Sequence, residues 1–93
     1  MIKTEEKRIR KLVLQNSKAK QAFEKMCDYF KIVDKLQATR HIILINYIYN
    51  GNPNELNNLS LCAAANVGER TCYRYREQYI ECFYLCFEML IGK

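Results

Sequence analysis

"LCAAANVGERTCYRYR", Leu61 to Arg76, holds a small-residue run, an Asn-Val-Gly break and a basic, tyrosine-rich stretch in one window. A helix that stops at Asn66 and restarts at Glu69 makes a corner. A helix-turn-helix needs two helices meeting across a tight turn, with small residues where they touch and an apolar residue buried in the turn. Leu61 is expected to face the core, while Cys62 and the alanines allow close approach. Asn66 tolerates the left-handed backbone of a turn. Val67 then plugs the core, Gly68 stands at the N-cap of the next helix, and Cys72 and Tyr75 are its first inward residues. Glu69, Arg70, Thr71, Tyr73, Arg74 and Glu77 are left outward. Two arginines one helical turn apart suit guanine edges or phosphates, and Thr71 and Tyr73 suit phosphate or a thymine methyl.

Outward from that window, helical periodicity continues on both sides. A short helix is expected over Asn58 to Ala65 and a long one over Glu69 to Leu90, where Cys72, Tyr75, Tyr79, Phe83, Cys86 and Leu90 recur with a period close to 3.6. Asn50-Gly51-Asn52-Pro53-Asn54 is the clearest loop signal. Before it, "TRHIILINYIY", Thr39 to Tyr49, is apolar almost all round. Its β-branched content suits a strand, but no partner strand is apparent, so it reads as a buried helix ending at Asn50-Gly51. Nearer the start, Ile9, Leu12, Val13 and Asn16 mark one amphipathic face. Behind Ser17 as N-cap, Ala22, Phe23, Met26, Phe30, Val33 and Leu36 mark a second. The expected fold is all-α: one five-helix domain over residues 1–93, with N-terminal helices over 1–37 and a helix-turn-helix region with a long last helix over 38–93.

The stretch "LSLCAAANVGERTCYRYREQYI", Leu59 to Ile80, resembles the helix-turn-helix in the promoter-reading C-terminal domain of bacterial sigma factors and in small phage activators of the RinA and ArpU type. Those families read as an aliphatic-alanine pair, a turn ending in Val or Ile then Ser, and an "RTVYR"-like recognition helix. The matching residues here are Leu61-Cys62, Val67-Gly68 and Arg70 to Arg74, and "TRHIILINYIYNG" resembles the helix that precedes the motif. The resemblance covers roughly residues 38–90 and says little about 1–37. Cys62 stands for the usual alanine, Gly68 for the usual serine cap and Cys72 for the usual valine, so the cap is weaker while every size class is kept. The resemblance implies sequence-specific DNA binding in transcription control, of a kind carried by phages and other mobile elements.

Charge agrees in sign. The 93 residues carry a net charge of +5, with eleven Lys/Arg against five Asp/Glu in residues 1–40 and four against five in 41–93. A basic surface favours a polyanionic partner and also serves solubility. Five cysteines without a CxxC spacing, and an apolar run after the basic start of only Leu12 to Leu14, point to reduced thiols in the cytoplasm. No apolar stretch approaches the length that crosses a bilayer, since Glu81 and Glu88 interrupt the richest one.

Cys82 and Cys86 lie one turn apart and invite a zinc reading with His41. Both fall on or beside the apolar stripe of their helix and no second close pair exists, so they read as small hydrophobes, and no metal or cofactor is expected. His41 reads as a helix-start or surface histidine. With a single histidine, no Gly-rich phosphate loop and no nucleophile elbow, nothing is assigned as acid, base or nucleophile, and an enzyme is not expected.

The sequence reading is therefore a regulator that binds double-stranded DNA. Glu69, Arg70, Thr71, Tyr73 and Arg74 enter the major groove, and the preceding helix near Asn58 and Ser60 crosses the backbone. Because one recognition helix reads few base pairs, a homodimer through the aromatic C-terminal helix, or docking on RNA polymerase, completes the expectation. The alternative is a helical adaptor that binds a protein such as polymerase or a phage-assembly partner without reading DNA, a reading that Glu69 and Glu77 among the arginines keep open.

Overall fold

In a computed structural model of the protein, residues 2–51 and 57–92 are described. They form five α-helices and no strand: α1 (Ile2–Gln15), α2 (Ser17–Val33), α3 (Ala38–Ile45), α4 (Asn58–Ala65) and α5 (Glu69–Leu90). A single 3-10 turn, Lys35–Gln37, joins α2 to α3, and α3 widens into a π-helical stretch over Asn46–Asn50. The expected loop falls partly outside the described residues, at Asn52, Pro53 and Asn54.

The α1–α2 corner turns on Asn16 rather than Ser17. Asn16 has extended backbone, φ −138 and ψ 121, and its side-chain oxygen accepts from the amides of Lys18 and Ala19. Ser17 is already the first helical residue and is exposed, so the cap expected at Ser17 sits one position earlier. From there Ala19, Ala22, Met26 and Phe30 bury one face of α2. Val33 and Leu36, expected to extend that face, do not. Asp34 closes the helix by donating its amide to the Phe30 carbonyl, and the 3-10 turn swings Leu36 out until it is 94% exposed.

α3 buries His41, Leu44 and Ile45, and its π-helical continuation buries Ile48 and Tyr49. Carbonyls in a last helical turn lack an intrahelical donor. The Ile48 carbonyl is met from α1 by Arg10 Nη1 at 2.8 Å. Gly51 ends the segment in extended geometry, where a Cβ would stand 2.6 Å from the Tyr47 carbonyl oxygen, so the close approach requires a residue without a side chain.

The central packing is α2 against α5, which run antiparallel: Lys18 Nζ donates to the Leu90 carbonyl at one end, and the Phe30 ring meets Tyr79 edge-on at the other. Ile9 from α1, Leu44 and Ile48 from the third segment, and Leu61 and Ala65 from α4 close the core around Tyr79 and Phe83. No helix among the described residues is long and apolar enough to cross a membrane.

Candidate nucleic-acid interface

The α4–α5 corner is built by hydrogen bonds of a specific pattern. Asn66 adopts the left-handed conformation, φ 56 and ψ 51, the only non-glycine positive φ among the described residues. Its amide donates to the Ala63 carbonyl and the Val67 amide donates to the Cys62 carbonyl. Those two bonds are the 5→2 and 6→1 pair of a Schellman motif, with Asn66 in the place glycine usually takes. The motif brings Val67 against the core beside Cys62, and Gly68 turns the chain back in extended geometry before α5 starts. At its other end α4 is capped by Asn57, whose side-chain oxygen accepts the Ser60 amide at 2.8 Å. Two helices joined by three residues thus present the first turns of α5 at the surface.

On those turns Glu69, Arg70, Tyr73, Arg74 and Glu77 are exposed and Thr71 is half-buried. Arg70 and Arg74 are four residues apart on one face. Neither forms an ion pair among the described residues. Ser60 is exposed on α4. Asn58 is turned inward: its Oδ1 accepts from Arg76 Nη1 at 3.3 Å and its amide nitrogen points to Cys62 Sγ at 3.7 Å. Five of the seven candidate residues, Glu69, Arg70, Thr71, Tyr73 and Arg74, thus share the first turns of α5, Ser60 is exposed on α4, and the seventh, Asn58, is committed to internal bonds.

Beneath that surface lies a group that periodicity alone did not single out. Arg76, 1% exposed, donates from Nε and Nη2 to the two carboxylate oxygens of Glu6, equally buried on α1, at 2.9 and 2.6 Å. Burial alone would lower the Arg76 pKa; the Glu6 hydrogen bonds and charge outweigh it and leave the pKa above its ordinary value. The same guanidinium lies 5.8 Å from the Tyr73 ring centroid, so one side chain holds α1, α4 and the candidate contact Tyr73 together. A signal was present in the sequence. Arg76 lies four residues after Cys72 and three before Tyr79, and Glu6 three before Ile9, so both charges occupy apolar positions of their helices.

His41, expected at a helix start or at the surface, is buried at the fourth position of α3. It is 1% exposed, with Nε2 bonded to Asp34 Oδ2 at 2.8 Å and Nδ1 to the Tyr79 hydroxyl at 2.5 Å, inside a cluster with Phe30 and Tyr75. Asp34 accepts at Nε2–H, which leaves Nδ1 to accept from Tyr79. Burial, reinforced by Tyr75, raises the pKa of the Tyr79 hydroxyl and keeps it a donor. The network ties the start of α3 to the α2–α5 pair. Both ring nitrogens are thus engaged within the fold, and no group of three or more His, Cys, Asp or Glu among the described residues is placed to hold a metal.

No family model, no curated protein and no solved structure matches the chain.

Proposed function

We propose that the protein is a DNA-binding transcriptional regulator that reads the major groove with the first turns of α5, acting in the cytoplasm. The observation that carries the reading is the α4–turn–α5 unit. A Schellman corner on Asn66 is backed by Val67, and it leaves Arg70, Tyr73 and Arg74 solvent-facing while Cys72 and Arg76 anchor the opposite side. In this reading Arg70 and Arg74 contact guanine edges or phosphates, Tyr73 and Thr71 add phosphate or methyl contacts, Glu69 sits at the helix start, and Ser60 on α4 faces the backbone. Lysines of α1 and α2 add affinity that falls with salt. A second copy or RNA polymerase supplies the remaining specificity. The likeness to sigma-type and phage activator motifs supports a role in transcription and an origin in a mobile element.

The test is selection of duplexes from a random pool by the folded protein. A recovered consensus, lost or relaxed in Arg74→Ala, supports base reading. Recovery of unrelated sequences with equal affinity overturns it.

A second reading has its own observation. Glu69 and Glu77 offset Arg70 and Arg74 on the exposed face, and Leu59 and Tyr73 add apolar surface there. That composition suits a protein-binding adaptor, which should show little affinity for DNA at any modest salt.

A further inference from the structure

The outer face shared by α2 and α5 is largely apolar, with Asp34, Gln78 and Glu81 as its polar members. A groove of about 560 Å³ runs between the two helices, with Tyr29, Val33, Cys82, Leu85 and Met89 among the side chains that line it. Val33 is 62% exposed, Leu85 63% and Met89 79%, and Ile32 beside them is 76% exposed. Single apolar side chains at a surface are ordinary; a contiguous strip rimmed by charge marks an interaction site.

The rim is patterned. Residues 77–92 carry Glu77, Glu81 and Glu88 and no basic side chain. Helical spacing puts Glu81 and Glu88 one turn either side of Leu85, on the outer flank of α5. On α2, Lys25 lies one turn before Tyr29 and is exposed on the corresponding flank, with Asp28 farther round the helix. Two contacts set the levels. Lys18 meets the Leu90 carbonyl and Phe30 meets Tyr79, so position 25 of α2 is level with the part of α5 between Glu81 and Glu88.

We propose that this face docks a second copy of the chain about a twofold axis lying parallel to α2 and α5. Such an axis exchanges α2 for α5 across the interface and preserves level along the helices. Lys25 of each copy therefore meets Glu81 and Glu88 of the other without any shift of register, while the apolar strips cover one another. A twofold interface must be complementary to itself. This face meets that condition, because opposite charges sit at one level on its two sides, a constraint that a different partner would not impose. The same axis points both α5 N-terminal ends in one direction, as two half-sites on one duplex require, but the interface does not depend on DNA reading and its test contains no DNA.

The experiment is sedimentation velocity over a wide concentration range. Wild type is expected to move from the 11.1 kDa chain mass to twice that mass. Leu85→Asp/Met89→Asp, changed only at exposed positions, should stay monomeric with unchanged helical circular dichroism. Lys25→Glu and Glu81→Lys/Glu88→Lys should each dimerise about tenfold more weakly, since two symmetric contacts become repulsive. Mixed together, they should recover association, because each reversed flank then meets its opposite. Wild type that remains monomeric throughout overturns the proposal. So does a Leu85→Asp/Met89→Asp dimer as tight as wild type, or a mixture that associates no better than its components.

Discussion

Arg76 of α5 grips Glu6 of α1 through two parallel hydrogen bonds, 70 residues apart in the chain and sealed from solvent. The pair fastens the first helix to the back of the α5 surface that carries Arg70 and Arg74. Removing one partner strands a buried charge, whereas replacing both with apolar groups of similar volume removes the desolvation cost as well. Arg76→Met alone should lower unfolding free energy by about 3–5 kcal/mol, and Glu6→Leu/Arg76→Met should regain most of it. Urea denaturation of the three proteins checks this. A single variant as stable as wild type would show that the pair does not hold α1 to α5.

The α1–α2 corner offers a cleaner local test. Asn16→Ala deletes the oxygen that accepts the Lys18 and Ala19 amides and should cost about 1 kcal/mol. Ser17→Ala should change stability by less than about 0.5 kcal/mol, as an exposed helical position does. Equal effects at the two positions would return the cap to Ser17.

At the α4–α5 corner, Asn66→Gly should be neutral or mildly stabilising, while Asn66→Ala should cost about 1–2 kcal/mol, since the position needs a left-handed backbone. Denaturation midpoints for the pair provide the comparison, and an alanine variant as stable as the glycine one would contradict the observed turn.

Alkaline stability follows from the buried thiols. Burial pushes the Cys72 thiol from 9.0 up to about 12, with neighbouring Cys62 adding to it, and burial does the same to Cys82 beside Cys86. A folded thiol with a raised pKa keeps its proton while the unfolded chain releases it. The stabilising contribution is therefore complete below pH 9.0 and is lost as pH climbs towards 12. The urea midpoint should fall across that window, and Cys72→Val should make the fall shallower. A midpoint that stays level for wild type would contradict the burial of these thiols.

Local signals made the corner legible in the sequence. Asn66 is the residue type that accepts a left-handed turn, Val67 is the apolar plug, and α4 and α5 span the residues that periodicity and the Asn66 to Gly68 break assign them. What the sequence left obscure depends on partners far along the chain. His41 stands where spacing reads a helix-start or surface histidine, and it is Asp34 and Tyr79, from two other parts of the chain, that engage it inside the fold. Asn58 has the chemistry of a DNA contact, but Arg76, 18 residues on, takes its carbonyl oxygen. Val33 and Leu36 continue an apolar period past the point where the helix ends, so spacing alone assigned them to a face that no longer exists there.

The claim that α5 reads DNA is tested most directly by fluorescence anisotropy on duplex DNA across a salt series, with wild type beside Arg70→Ala/Arg74→Ala after both are confirmed folded. Wild-type binding should weaken steeply with salt. The double variant should bind more weakly by about 1–3 kcal/mol per lost base contact, or with a salt slope shallower by about 1 for each lost phosphate contact. Binding by neither protein above background would contradict DNA reading and favour the adaptor; equal binding by both would move the contact away from α5 to the basic N-terminal helices.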